Sequence, residues 1–446
     1  MKRPPRCSAF CALCILCISS FGEAPPDSVP PKSNQLDIGM QVFVRGEIRD
    51  GGVADAKGNP APTTDDHASF INERTRLTIG FSKIGKMQLD AKITAQHAGV
   101  WGQSGKGNFN LYETWVKLGA KGAFAQIGRQ LLAYDDERII GSNDWTMAAL
   151  SHDVLRLGYE GYGHKAHAIL AYNQNAANIN GGTFYVNGAQ PYKNMQVGWY
   201  HYDLPRTPLG ASILFMNIGM QGGTDGGEQR TIYQQLIGAY AAYRPRYCTL
   251  SASYYHQMGK NEDGIKIDAW MASALATVKP SERYGFLVGF DYLSGDKYFA
   301  VPAKGALGLT QHKVIKGFNP LYGSHHKFYG AMDFFYVTTY VGGFTPGLQN
   351  LYFGVYGEPV KKLVLNANYH YLATATKLND MNMTLGHEIE LQATYTIMKE
   401  VRLSAGFSYM TGTETMERLK RVSTQGNLRW GWISVNVTPT LFSTKW

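Results

Sequence analysis

The stretch Gly386–Met410 reads GHEIELQATYTIMKEVRLSAGFSYM. Glu388, Glu390, Gln392, Thr394 and Thr396 take every second place, with Ile389, Leu391, Ala393, Tyr395 and Ile397 between them. After the break at Met398-Lys399-Glu400, Val401, Leu403, Ala405, Phe407 and Tyr409 alternate with Arg402, Ser404, Gly406 and Ser408. A period of two is that of a β-strand, whose side chains point to opposite faces in turn. The stretch therefore reads as a hairpin with charge on one face and apolar groups on the other. Each arm is close to the roughly ten residues that a tilted strand needs to cross a bilayer.

The same pattern recurs along the chain. In ERTRLTIGFS, Leu77, Ile79 and Phe81 oppose Arg74, Arg76 and Thr78; in NLYETWVKLG, Tyr112, Thr114, Val116 and Leu118 oppose Glu113, Trp115 and Lys117. In VLRLGYEGY, Leu155, Leu157 and Tyr159 oppose Arg156 and Glu160, and in LVLNANYHYL, Leu363, Leu365, Ala367, Tyr369 and Tyr371 oppose Asn366, Asn368 and His370. Connections alternate as well. Tight ones fall at Lys83–Lys86, Gly119–Gly122, Gly161–His164, Arg244-Pro245, Lys279–Glu282, Glu358–Lys361 and Met398–Glu400. Long polar ones fall at Arg49–Phe70, Ala133–His152, Asn173–Pro191, Ser294–Leu348 and Gly412–Gln425. Short turns at one end and long loops at the other belong to outer-membrane barrels.

Composition agrees. Of 446 residues, 17% are charged, against about 25% in soluble domains, while Gly 50, Tyr 28 and Phe 20 are high counts. Beyond the N-terminal leader no apolar run reaches the length of a membrane helix. A counting argument gives nineteen strands, but a chain with both ends on one side of a barrel needs an even number. Lys327–Val337 is the segment that fits worst, so it is assigned to a long outer loop, leaving eighteen. The expected fold is all-β: a transmembrane antiparallel β-barrel of about 18 strands, with short periplasmic turns and long extracellular loops. Hydrocarbon admits only a closed sheet, because open edges leave backbone groups unpaired. Tyr112, Tyr159, Tyr369, Tyr409 and Trp432 are expected at the headgroup level. Pro439 interrupts the last strand and predicts a bulge or tail there.

At the N-terminus, Lys2, Arg3 and Arg6 precede the apolar run Cys7–Phe21, as in a secretory signal. Residues 1–22 read as that signal, 23–35 as a Pro-rich unfolded leader (Pro25, Pro26, Pro30, Pro31), and 36–446 as the barrel. Four of five cysteines lie in the signal, so Cys248 stays alone, on the apolar side with Leu250, Ala252 and Tyr254. The net charge of +9 falls to +6 once the three signal cations leave. Basic residues are scattered singly through strands, which argues against a nucleic-acid partner.

With eighteen strands the interior admits water, and inward residues set what enters. The candidate lining is Arg74, Arg76, Glu113, Lys117, Arg156, Glu160, Asn366, Asn368, His370, Glu388, Glu390 and Arg402: polar, of mixed sign, net basic. Catalytic residues, cofactors and metals are not expected. Asp135, Asp136 and Glu137 lack calcium-loop spacing, and neither His325-His326 nor His164/His167 faces its neighbour as metal ligands would. Ser151-His152-Asp153 holds the triad residue types, but consecutive side chains diverge.

The segment LYETWVKLG…AFAQIGRQLLAYDDERIIGSNDWTMAALSHDVLRLGYE resembles the family of outer-membrane alginate-export porins. The likeness rests on an acidic-aromatic strand (Glu113, Trp115), a Gly-Arg-Gln strand (Gly128, Arg129, Gln130), a long loop and Trp145. FNPLYGSHHKFYGAMDFFY, NYHYLA and GHEIELQATYTI resemble later parts of that family. The resemblance implies an eighteen-stranded barrel with a basic lumen that passes an acidic polysaccharide, and it adds Arg129 to the lining. The expected partners are outer-membrane lipid, an anionic sugar or small anionic solute, and the barrel-assembly machinery. Two other readings stand beside a porin-like channel. One is a carbohydrate-binding barrel using loop aromatics Trp101, Trp145, Phe318, Tyr322 and Phe344; the other is an outer-membrane hydrolase.

Overall fold

The computed structural model describes residues 33–50, 67–103, 107–186, 188, 190–223, 229–296, 314–337, 345–378, 381–420 and 428–446. The signal, most of the leader and Phe344 lie outside the described residues. The first strand starts at Ser33, ahead of the boundary expected at residue 36.

The strands are β1 (Ser33–Asp50), β2 (His67–Ile84), β3 (Gln88–Val100), β4 (Asn108–Ala120), β5 (Ala123–Gln130), β6 (His152–Gly161) and β7 (His164–Tyr172). There follow β8 (Asn194–Asp203), β9 (Leu209–Gly222), β10 (Arg230–Tyr243), β11 (Cys248–Lys260), β12 (Lys266–Val278) and β13 (Tyr284–Leu293). The last group is β14 (Val314–Ile315), β15 (Leu348–Val360), β16 (Leu363–Ala373), β17 (Thr384–Met398), β18 (Val401–Gly412), β19 (Leu428–Val437) and β20 (Thr440–Lys445). Two of these add no stave to the wall. β14 is a two-residue piece lying parallel to the start of β12 inside the long β13–β15 connection. β19 and β20 form one stave, broken where Pro439 lies; Met40 N donates to Pro439 O (3.1 Å), and the register of β1 shifts between Ile38 and Gly39. Proline cannot donate to the ladder, so the chain bulges there.

Eighteen antiparallel staves remain, and β1 closes the cylinder by pairing with β2 on one side and with β19 and β20 on the other. The segment Lys327–Val337 is no stave. It lies in the β13–β15 connection, with a 3₁₀ turn at His325–Lys327 and a short helix α1 (Phe334–Val337), and Phe334 and Phe335 are buried.

Alternation separates two faces. Leu77, Ile79, Val116 and Leu118 are exposed on the outside, whereas Arg74 is 2% and Arg76 7% exposed inside. An apolar outer belt on a closed sheet is what hydrocarbon requires. Exposed aromatics edge it, with Tyr162, Tyr247, Tyr284 and Tyr395 near the short turns and Trp101, Phe109 and Tyr172 near the long loops. The chain is thus a membrane-spanning β-barrel of the outer-membrane type.

Two aromatic assignments need correction. Thr94 pairs with Glu113 but Ala95 with Leu111, so Tyr112 is an extra residue in β4. This bulge turns both Tyr112 and Glu113 inward, and both are buried. Trp432 shares the inner side with buried Ser434, while Ile433 and Val435 face out. Its indole packs across Gly406, where a Cβ would meet Trp432 Cε2 at 2.4 Å.

The inner face is not polar throughout. On β7–β12 the inward positions include Ile169, Met195, Val197, Leu214, Met216, Leu236, Ala269 and Met271, all buried. They form one cluster with Leu132, Tyr134, Ile139 and Ile140 of the β5–β6 connection and Phe318 and Tyr322 of the β13–β15 connection. These two long loops fold into the barrel and give that half of the wall a dry core, as in a soluble domain.

Candidate lumen constriction

The β5–β6 loop (131–151) is pinned inside at both ends of its excursion. Near Asp144, Arg76 and Arg74 form ion pairs with its carboxylate at 2.7 and 3.2 Å. Arg74 also donates to the carbonyls of Asp144 and Thr146, both at 3.0 Å. Arg45 donates to Trp145 O (3.2 Å), lies 4.3 Å over the Trp145 ring, and pairs with Glu47 at 2.9 Å. Nearer the loop's start, Arg138 bridges Asp136 of the loop and Asp291 of β13, each at 2.8 Å, and the Arg138 and Asp291 side chains are almost fully buried. Burial works against that guanidinium, but Asp291 and Asp136 more than restore its charge, so it stays protonated.

The β13–β15 loop is held by β17. Glu388 Oε1 accepts from Met332 N (2.9 Å), and Glu390 accepts from Ala331 N. A polar chain runs along the wall from there: Glu390 to His370 (3.3 Å), His370 to Asn350 (2.9 Å), and Asn350 to Asp291 (3.0 Å), which meets Arg138. The loops also bind each other. Tyr322 N donates to Ile139 O and Gly141 N to Tyr322 O, while Glu137 accepts from Ser324 and Lys327. The Trp145 and His326 rings stack at 3.9 Å. Burial pushes the His325 imidazole down to about 3. Burial raises Glu137, yet the hydrogen bonds from Lys327 and Ser324 outweigh it and hold its carboxyl below the ordinary range.

Twelve of the thirteen residues expected to line the pore face inward: Arg74, Arg76, Glu113, Lys117, Arg156, Glu160, Asn366, Asn368, His370, Glu388, Glu390 and Arg402. Arg129 does not. It pairs in register with Thr114 and Asp153 on the outer face, and binds Asp153 through two bonds of 2.8 and 2.7 Å. The alternation of β5 keeps Phe124, Gln126 and Gln130 inward and leaves Arg129 outside. The inward set is also not one site. Arg74 and Arg76 hold one loop, Glu388 and Glu390 the other, and Glu113 binds Lys92 at 2.5 Å. Lys117, Arg156 and Glu160 gather on the β4–β6 wall, and Arg402 lies near the short-turn end of β18.

The other clusters fall apart in space. Asp135 accepts from Trp199 Nε1 (3.1 Å) and Ser212; Asp136 holds Arg138; Glu137 faces the other loop. His164 meets the Tyr200 hydroxyl outside at 2.7 Å, whereas His167 faces inward to Glu160 and Tyr134. His152 is buried against the Tyr192 hydroxyl at 2.8 Å while Asp153 points outward to Arg129. Of the loop aromatics expected to offer a stacking surface, Phe318 and Tyr322 are buried and Trp145 is sandwiched between His326 and Arg45; Trp101 is exposed.

Residues missed at the sequence level include Arg45, Glu47, Lys92, Arg138, Asp144 and Asp291. Arg45 and Glu47 sit in VFVRGEIR with the same alternation that marked Arg74 and Arg76. Asp291 is the one acid in YGFLVGFDYL, a visible oddity. Arg138 and Asp144 lie in a loop without periodicity and carry no such signal.

No family model matches the sequence, and no curated protein matches it either. Solved structures do. Pseudomonas aeruginosa OccK2 (OpdF), determined in complex with glucuronate, shares 11% identity over 91% of this chain and 98% of its own, with a TM-score of 0.60. Acinetobacter baumannii OccAB1 shares 12% over 91% and 97%, also at 0.60. Pseudomonas aeruginosa OccK5 (OpdH) shares 11% over 91% and 99%, at 0.57. At such identity the likeness carries the fold.

Proposed function

We propose that this barrel is an outer-membrane channel, porin-like, that passes anionic or polar solutes through a net basic lumen. The observation that carries the reading is an ionic inner face enclosed by eighteen staves, narrowed by two loops that are braced against it and against each other. Arg74, Arg76, Glu113, Lys117, Arg156, Glu160, His370, Glu388, Glu390 and Arg402 line the path in this reading. Fixed cations there replace the counterions a solute leaves behind, and their field raises the local anion concentration.

Small sugar acids are the favoured cargo, because both loops are tied across the interior by several independent contacts. The glucuronate held by OccK2 is a solute of this class. Passage of an acidic polysaccharide, which the alginate-export resemblance implies, requires those loops to leave the lumen. Planar-bilayer recording of the purified protein under a salt gradient tests the channel. Stepwise conductance with an anion-preferring reversal potential is expected; a silent or strongly cation-preferring barrel refutes the reading.

A further inference from the structure

Most inward cations are already committed to carboxylates. Arg74 and Arg76 hold Asp144, Arg45 and Arg49 hold Glu47, Lys92 holds Glu113, and Arg138 holds Asp136 and Asp291. Such groups brace the wall, since a cation with a fixed counter-charge has little attraction left for a passing anion. Lys117 and Arg156 differ. They sit on one rung, flanking Gln126 of β5, because Lys117 pairs with Gln126 and Gln126 with Arg156. The Lys117 Nζ lies 4.2 Å and the Arg156 guanidinium carbon 5.4 Å from the centre of the same Phe124 ring. Phe124 can lie flat beneath them because the next rung offers Gly158, where a Cβ would sit 2.3 Å from Phe124 Cζ.

Neither cation is in a close ion pair with a carboxylate among the described residues; Glu160 and Asp90 attract Lys117 from further off, and each has another partner. Glu160 binds His167 Nε2 at 3.0 Å, and Asp90 accepts from Ser82 (2.6 Å) and Gln88 (2.8 Å). Arg156 donates to Gln126 Oε1 at 2.5 Å and lies against the Tyr134 hydroxyl, while its Nε is buried without a hydrogen-bond partner. Water reaches the spot, since the Glu160 side chain beside it is 49% exposed.

We propose that Lys117 and Arg156 form a carboxylate-binding station on the β4–β6 wall, taking a small organic acid that carries one carboxylate. Arg156 supplies a planar fork and Lys117 a compact charge, the two geometries that hold a carboxylate. The Phe124 ring keeps both heads over an apolar floor, where their attraction is less screened than in bulk water. The station rests on the channel reading for its purpose, but its chemistry is measured separately.

The test is calorimetric titration of the detergent-purified full chain with sodium glucuronate and, in parallel, with glucose. Wild type binds glucuronate saturably and glucose more weakly. Lys117→Gln with Arg156→Gln weakens glucuronate by about tenfold or more, as expected when charge-assisted bonds are lost, and leaves glucose unchanged. The exchange Lys117→Arg with Arg156→Lys, which keeps both charges, restores most of the affinity. Heat-modifiable migration in gels verifies that each barrel is folded, and the single substitutions replace the double one if it is not. The proposal is overturned if wild type shows no saturable glucuronate binding, or if removing both cations leaves it unchanged. Absent conductance with intact binding would instead sink the channel reading alone.

Discussion

Asp144→Ala should release the β5–β6 loop from β2. The carboxylate meets Arg76 at 2.7 Å and Arg74 at 3.2 Å, and the three side chains are 10%, 8% and 2% exposed. Removing one partner of a buried pair costs about 3–5 kcal/mol, because the remaining charge is left without compensation. Water in the lumen and the surviving bonds from Arg74 to the Asp144 and Thr146 carbonyls put this case at the lower end. At 1.4 kcal/mol per factor of ten, about 3 kcal/mol shifts the balance between docked and released loop roughly a hundredfold. Single-channel recording should show larger or flickering current steps. The reversal potential should move toward anions, since two guanidiniums lose their counter-charge. Arg129→Ala, on the outer wall, is the control and should leave both quantities as in wild type. If Asp144→Ala also leaves both unchanged, the idea that this carboxylate pins a constriction is refuted.

Two further outcomes are expected. Gly128→Ala should lower the temperature at which the barrel unfolds in detergent. Gly128 has φ 119°, and a Cβ would fall 2.2 Å from Thr114 O, so a cost of about 1–3 kcal/mol is expected; an unchanged melting temperature in circular dichroism refutes this. Acid should loosen the seam between the two loops. His325 is held neutral when docked, down to about 3, so a released loop takes up its proton first as pH falls through 6.5. Glu137, held below its ordinary 4.5 by Lys327 and Ser324, acts in the same direction: its contribution is present above that value and lost below. Current noise should therefore rise between pH 6.5 and 3; equal noise at pH 7 and pH 4 contradicts the reasoning.

How much was legible in the amino-acid chain can be judged from particular residues. Period-two alternation identified the inward side of Arg76, Lys117, Glu160, Glu390 and Arg402, because strand geometry leaves a side chain two choices and hydrocarbon forbids one of them to a charge. It misplaced Tyr112, where one extra residue in β4 resets the count. Arg129 entered the lining by resemblance alone; alternation left its direction open, and the structure puts it on the outer face with Asp153 for a partner. Long-loop aromatics looked like a display surface because polarity and length say nothing of where a loop folds.

The local pattern by itself determined the barrel and the apolar coat, since both depend on near neighbours and on the lipid, while the parity of a closed barrel removed Lys327–Val337 from a count of nineteen and left eighteen. Which cations brace the wall and which remain for a solute was decided only in three dimensions. Asp144 lies 68 positions after Arg76 and Asp291 lies 153 after Arg138, and their encounters are 2.7 and 2.8 Å apart in space. Charge pairing acts over ångströms regardless of chain separation, so a residue's role inside this cylinder depends on loops whose course no periodicity records.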